Sequence, residues 1–349
     1  MKSVRARRGW DVLVVGGALA GSRLAGALAR GGARVALIEP HPGAEKPCGG
    51  WLPVHASQVE PLLDELALRW RRPSRYCIET PRGSRQMANP GYRVVARAEL
   101  DGALFGWALA GGARHLAGRA CGIEREPRRW RVQLAGGAVE HGRVLVGADG
   151  CGSAVRRALV DPFGRGQIMV TLGMTLPAPA DEMRVALGDG LVGYLWYLPR
   201  PDHASVGICA PAAHKAGLRD RLLDFARRFA EPLPAHRWGA PIPMLTAPER
   251  YRRQLCGDDW LLVGDAAGMA NAVTGEGIAH ALRSAQVAAA AILSGRPRGY
   301  GQRIAAHSAP LVEAATAMAQ VLAAPDPVRA YRFAALEYLW PALGRFDLA

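Results

Sequence analysis

The chain has 349 residues, half of them hydrophobic and 21% charged, which fits a folded chain of two domains, or one large domain with an interleaved partner, and excludes disorder. Its longest apolar run, AQVAAAAIL at 285–293, is half the roughly 18 residues that a spanning helix needs. The net charge of +14 is nearly all arginine, with clusters at RWRRPSR (69–75) and RYRRQ (250–254); a phosphorylated substrate, an acidic carrier protein or an anionic membrane surface would use that field, and without a nucleic-acid-binding motif nucleic acid is not expected.

The opening MKSVRARRGWDVLVV runs directly into a strand and lacks the apolar core and cleavage site of a signal peptide. DVLVVGGALAGSRLAGALARGGARVALIEP (11–40) reads as buried strand, glycine loop, amphipathic helix and second strand. That is the context a dinucleotide fingerprint requires. Gly16 permits the tight turn, and Gly21 lets the helix pack closely on the sheet. The N–H groups at the helix start, Ala20 and Gly21, can cradle a pyrophosphate. Glu39 closes the second strand 18 residues after Gly21, where its carboxylate can accept the ribose hydroxyls of an adenosine. Ala18 replaces the middle glycine of GxGxxG, which costs some closeness to the phosphates without forbidding binding. An ordinary βαβ unit without nucleotide is the alternative.

KPCGGWLP (46–53) follows. A cysteine, two glycines, Trp51 and Pro53 are odd for a plain connecting loop. RVLVGADGCGSAVRRAL (143–159) reads as an apolar strand ending in GADG, then a helix carrying Ser153, Arg156 and Arg157. In GYLWYLPRPDHASVGIC (193–209), strand alternation puts Tyr194 and Trp196 on one face. DDWLLVGDAAGMANAVTGEGIAHALRSAQVAAAAIL (258–293) places Asp265 at a strand's carboxyl end, beside a glycine-led helix. Such an Asp can bind a ribityl hydroxyl. The helix start at Gly277 and Ile278 would favour negative charge on a reduced flavin ring. Residues 296–349 read as a helical tail, divided by Pro325 and Pro327.

The six cysteines form no CxxC pair, and the histidines show no HxxxH or HxH spacing. No metal site is therefore indicated, and the cysteines read as reduced thiols of a cytoplasmic protein. No GxSxG elbow is present.

Together the three glycine-rich segments resemble the FAD-binding half of the p-hydroxybenzoate-hydroxylase-like flavoproteins. Within these the chain is more similar to the geranylgeranyl reductase family. GDAAGMANAVTGEGIAHALRSAQVAA resembles that family's GDAAG…NP.TGEGI pattern, with Ala272 where proline is usual, and KPCGGWLP resembles its CGG motif. YLWYLP is similar to its YxWxFP segment, and VVARAELDGAL (94–104) to its RxxFDxxL, with Leu100 in the Phe position. The resemblance implies an α/β fold with a discontinuous Rossmann-like FAD-binding domain (9–53, 97–165 and 255–295). It also implies an interleaved sheet-rich substrate domain (54–96 and 166–254) and the helical C-terminal segment 296–349.

It further implies that Cys48, Gly49 and Gly50 lie against the flavin. Cys48 is then a small filler or a reactive thiol. Arg97 would meet the pyrophosphate or ribityl chain, the alternative being a surface arginine. The Cys121 backbone would approach the adenine, with its side chain in the core. Asp149 reads as an organiser of its loop. Tyr194 and Trp196 are either a core face or, with Trp51, an aromatic wall around an apolar substrate. Cys48 and Tyr194 are the candidate catalytic groups.

The expected activity is reduction of carbon–carbon double bonds in an isoprenoid-like substrate by hydride transfer from reduced flavin N5, with NAD(P)H or another reductant as electron donor. Monooxygenation of an aromatic or polyketide-like substrate is the rival, and a non-catalytic flavin-binding scaffold the third reading. The strand also resembles the WxWxIP motif of flavin halogenases, but the three lysines, Lys2, Lys46 and Lys215, are poorly placed for that chemistry.

Overall fold

The computed structural model describes residues 9–53, 60–177, 180–251 and 255–339. Residues 252–254 of the second arginine cluster and 340–349 of the helical tail lie outside these, as do 54–59.

The first sheet has seven strands. Three short, mainly apolar segments, Val35–Ile38, Trp10–Val15 and Trp260–Leu262, and the more polar edge strand Arg114–Leu116 pair in parallel around the long strand Val139–Gly147. An antiparallel hairpin, Ala120–Glu126 and Arg129–Leu134, extends it on one edge. The inner parallel strands read as largely apolar runs because helices cover both faces, and Leu13, Val14, Leu37 and Leu145 are fully buried. Helix Leu19–Arg30 turns its Leu24, Ala25 and Leu28 side into this core. Close packing of the next helix, Arg97–Ala110, depends on Gly26, where a Cβ would lie 2.3 Å from the Trp107 ring. Arg30 stacks over the same indole, 3.7 Å from its centroid.

The second sheet also has seven strands, in the order Trp238–Pro243, Ile168–Leu176, Ala204–Pro211, Tyr194–Pro199, Glu182–Ala186, Arg75–Thr80 and Gly83–Ala88. Its neighbours are antiparallel except Glu182–Ala186 with Arg75–Thr80. One face packs on helix Leu218–Arg227; the other meets helices Ala309–Ala323 and Pro327–Leu339. A small third sheet joins Trp51–Leu52, Arg93–Val95 and Trp70–Arg71. No helix among the described residues is long and apolar enough to cross a membrane.

Candidate functional site

Backbone hydrogen bonds draw the carboxyl ends of the parallel strands together. Gly16 N–H donates to the Ile38 carbonyl at 2.8 Å, Ala148 N–H to Val15 at 2.7 Å and Val263 N–H to Gly147 at 2.9 Å. The loops after these strands therefore form one rim, the usual place for a nucleotide on an open α/β sheet. Gly16 sits at φ +100°, and a Cβ there would lie 2.3 Å from the Ala148 carbonyl oxygen. At Gly21 a Cβ would fall 1.7 Å from the Gly16 carbonyl oxygen, so turn and helix can close only on these glycines. Ala18 is the N-cap of helix Leu19–Arg30 and provides no side-chain cap. The first-turn N–H groups at Leu19, Ala20 and Gly21 are left for another acceptor. Glu39 follows the second strand and is buried. Its carboxylate accepts the N–H of Gly17 at 2.7 Å and of His41 at 3.0 Å.

The other two glycine-rich segments are tied to each other. Asp149 accepts from the Ser153 hydroxyl and from Ala154 N–H at 2.6 Å, capping the short helix Ala154–Leu159. Arg156 of that helix donates to the Ala266 carbonyl at 3.1 Å. Gly264 N–H donates to Ser284 Oγ of the long helix Ile278–Leu293 at 2.9 Å.

Two cavities open at this rim. The more polar one, about 130 Å³, is lined by Ala18, Leu19, Ala20, Arg97, Gly150, Asp265, Gly277 and Ile278. Arg97 opens its helix and pairs through Nε and Nη2 with both oxygens of buried Asp101, at 3.0 Å each. Burial opposes that charge, but Asp101 and Cys48 outweigh it and raise the Arg97 pKa. Asp265 makes no side-chain hydrogen bond among the described residues. Burial pushes its carboxyl up to about 6, against the pull of Arg97.

The second cavity, about 280 Å³, is mainly apolar. Cys48, Gly49 and Trp51, with Tyr194, Trp196, Leu198 and Ile242, form much of its wall. Tyr92, Thr274, Glu276, Tyr338 and Leu339 complete the side nearest the C-terminal helix. The cavities share Pro47, Cys48, Ile242, Gly275, Gly277 and Ile278, so the CGG loop and the TGEGI turn form the seam between them. No group of His, Cys, Asp and Glu is arranged to hold a metal ion among the described residues.

Most of the residues singled out in the sequence come to this rim. Tyr194 and Trp196 share a face, 5.8 Å apart between ring centroids, and both line the apolar cavity. The Tyr194 hydroxyl donates to the Thr274 carbonyl at 2.5 Å, and Trp196 Nε1 to Ser205 Oγ at 3.3 Å. Trp51 packs edge-on against Tyr92 and Tyr76, and its indole N–H is buried without a partner among the described residues. Cys48 Sγ accepts the Gly50 N–H at 3.3 Å.

Gly49 and Gly50 line the apolar cavity, and one expectation, at Cys121, changes. Gly49 and Gly50 are required by the protein itself: a Cβ would lie 2.6 Å from Leu198 Cδ1 at Gly49 and 1.9 Å from the Val95 carbonyl oxygen at Gly50. The Cys121 side chain is exposed rather than in the core, because its strand lies in the hairpin at the sheet's edge, and Cys121 lines neither cavity.

The sequence reading passed over Glu276 and Arg200. Burial pushes the Glu276 carboxyl up to about 7, and its Oε1 has no hydrogen-bond partner among the described residues. Arg200, 2% exposed, donates to the Cys48 carbonyl at 2.7 Å and pairs with Glu45 at 2.7 Å.

The donor set fits an FAD: an uncapped helix start, a buried carboxylate beside the glycine loop and a carboxylate without a partner lie along one rim. The chain matches the lycopene cyclase protein family model over residues 11–169. It is 31% identical over 309 residues to the geranylgeranyl diphosphate reductase of Rhodobacter capsulatus, covering 82% of this chain and 77% of the relative. A geranylgeranyl bacteriochlorophyll reductase-like structure from Thermoplasma acidophilum superposes with a TM-score of 0.78 at 23% identity, covering 93% and 90% of the two chains. PqsL of Pseudomonas aeruginosa, described as a probable FAD-dependent monooxygenase, gives 0.71 at 22% identity, covering 93% and 99%. These two likenesses show a shared fold.

Proposed function

The chain belongs to the geranylgeranyl reductase family of FAD-dependent oxidoreductases, and from that premise we propose that it reduces carbon–carbon double bonds of an apolar, isoprenoid-like substrate. The observation that carries this reading is the seam: an apolar cavity with aromatic walls shares the Cys48 loop and the Gly275–Ile278 turn with the polar cavity. When bound, FAD supplies the hydride, through N5 of its reduced ring, and NAD(P)H or another reductant restores it.

The chain's own residues bind, orient and exclude water. The start of helix Leu19–Arg30, at Ala20 and Gly21 behind the Gly16 turn, takes the pyrophosphate. Glu39 accepts the adenosine ribose hydroxyls, and Asp265 a ribityl hydroxyl. Arg97, held by Asp101, places positive charge beside the pyrophosphate or ribityl chain. The start of helix Ile278–Leu293, at Gly277, favours negative charge on the reduced ring. Cys48 and Gly49 close the ring side of the seam. Trp51, Tyr194 and Trp196 align an unsaturated chain and keep water from it. The positive surface suits an anionic head group on that chain, an acidic carrier or an anionic membrane surface.

Monooxygenation is the second reading. It is favoured by the buried, unpartnered Trp51 Nε1 and Glu276 Oε1, which would suit a polar aromatic substrate better than a bare hydrocarbon. Halogenation falls behind both, because no lysine among the described residues lines the apolar cavity.

The test is anaerobic. The yellow holoprotein is reduced and mixed with geranylgeranyl diphosphate without oxygen. Return of the oxidised flavin spectrum with a hydrogenated product supports the reductase. Turnover that needs oxygen and adds an oxygen atom overturns it.

A further inference from the structure

We propose that Glu276 is the catalytic acid of this site, delivering a proton to the double-bond carbon that does not receive the hydride. This deepens the reductase reading above and rests on it. Glu276 sits on a turn that the chain holds rigidly. Its carbonyl accepts Asn271 N–H at 2.9 Å, and Gly275 N–H donates to the Asn271 carbonyl at 2.8 Å. Asn271 Oδ1 in turn accepts Val273 N–H at 2.9 Å and Thr274 N–H at 3.0 Å. With its backbone fixed, the side chain lines the apolar cavity at the seam, and Oε1 is buried without a hydrogen-bond partner among the described residues.

A carboxylate whose Oε1 is buried with no donor among the described residues is poorly stabilised, so the neutral acid is favoured. Burial accordingly pushes its pKa up to about 7. The titratable groups around the same cavity are Cys48, Tyr92, Tyr194, Cys209 and Tyr338. None is a cation that would draw the proton off. Arg97 and Asp265 face the adjoining cavity, and the Arg97 charge is paired with Asp101.

Tyr194, Tyr92, Tyr338 and Cys209 are poor donors near neutrality. The Tyr194 proton is committed to the Thr274 carbonyl. Burial raises the pKa of Tyr92 and Tyr338 and pushes Cys209 up to about 12. A carboxylic acid kept neutral by its apolar surroundings is the arrangement that proton donation at neutral pH requires.

The step balances. The π bond of the substrate breaks. One carbon gains a hydride with its electron pair from reduced FAD, which is oxidised, and the other gains the Glu276 proton. Glu276 is left as a carboxylate and regains its proton from water.

Two measurements test this, on Glu276→Gln, which keeps the shape and removes the acid, and on Glu276→Asp. In holoprotein, anaerobic re-oxidation by geranylgeranyl diphosphate should decline for the wild type as pH rises through about 7. It should be about 100-fold slower in Glu276→Gln and independent of pH, with flavin content unchanged. Glu276→Asp should recover part of the rate together with its pH dependence. In FAD-free protein, the infrared difference between wild type and Glu276→Gln should contain a carboxylic-acid C=O band that titrates near pH 7. Wild-type turnover with Glu276→Gln equally fast overturns the donor role alone, as does the absence of that band. A wild type that no unsaturated isoprenoid re-oxidises overturns the reductase reading, and the donor role with it.

Discussion

The Arg200 guanidinium reaches the carbonyl oxygen of Cys48 at 2.7 Å across 152 residues of sequence. It also pairs with Glu45 at 2.7 Å, and Ser205 Oγ donates to the same Cys48 carbonyl at 3.0 Å. The CGG loop is thus shaped from the turn that follows the aromatic strand, by a donor fork buried to 2% exposure. Arg200→Met keeps the volume and deletes the donors. It leaves the Cys48 carbonyl with Ser205 alone, and an expected stability loss of about 2–4 kcal/mol follows from the broken buried bonds. Arg200→Lys should recover less than half, because an ammonium cannot span the carbonyl and the carboxylate as the planar fork does. Thermal melts of the three proteins measure the loss, and FAD titration shows whether the loop's shape matters to the cofactor. A Met variant as stable as wild type would remove Arg200 from this role.

Adjacent glycines in the loop should respond differently to the same methyl group. At Gly50 the backbone has φ +77° and the added Cβ meets a fixed acceptor, the Val95 carbonyl oxygen, at 1.9 Å. At Gly49 the obstacle is the Leu198 side chain, which can rotate away. Gly50→Ala is expected to cost about 3 kcal/mol or more, combining strain with steric conflict. Gly49→Ala should cost about 1–2 kcal/mol, through repacking of Leu198. Chemical denaturation of both variants checks the order, and equal losses would mean that the loop moves as a unit.

The legible parts of this site were those carried by local pattern. Gly16, Gly21 and Glu39 lie within one strand–turn–helix–strand run, so their spacing alone places them on the rim. Asp265 and Gly277 could be read because a strand end and a helix start are both marked in the chain. The alternation of Tyr194 and Trp196 put both on one face, but could not say whether that face was core or cavity. Glu276 was hidden for a physical reason. A Glu just ahead of a helix reads as a dipole partner in solvent. Glu276 lines a cavity whose other walls include Trp51, Tyr92 and Tyr338, which arrive from remote parts of the chain. Arg200 was masked by the arginine-rich background, since its value comes from a loop 150 residues away. The glycines of the CGG loop were noticed for their rarity, yet what they avoid is Leu198 and Val95.

Glu39 serves the fold as well as the nucleotide we assign to it, and a suitable substitution separates the roles. Its carboxylate holds Gly17 N–H and His41 N–H, which stabilises the glycine loop before any ligand arrives. Glu39→Gln retains an acceptor for one of these while placing a donor where ribose hydroxyls would donate. The FAD-free variant should lose only about 1 kcal/mol in denaturation. FAD affinity should fall by about 10- to 100-fold, the value of losing charge-assisted hydrogen bonds. Flavin fluorescence titration against the melt distinguishes the two. Parallel losses in both would mean that Glu39 acts through loop stability alone.

Asp265 should trade stability for cofactor binding, with a definite pH signature. Its carboxyl is pushed from 3.8 up to about 6 by burial. The folded state therefore holds its proton more tightly than the unfolded chain does. Below about pH 4 both states are protonated and the site costs nothing. As pH rises through about 6 the folded protein must bury a charge that the unfolded chain exposes, and stability falls. A shift of about two units corresponds to roughly 3 kcal/mol. Asp265→Asn removes this cost, so the FAD-free variant should be up to about 3 kcal/mol more stable than wild type at pH 8 and indistinguishable from it near pH 4. The same change should weaken FAD binding by about 10-fold or more, because the carboxylate is an acceptor without a partner until a hydroxyl reaches it. Urea denaturation at the two pH values and FAD titration at the higher one measure both sides of the exchange. If the variant gains nothing at pH 8 and binds FAD as tightly as wild type, Asp265 is neither strained nor part of the site.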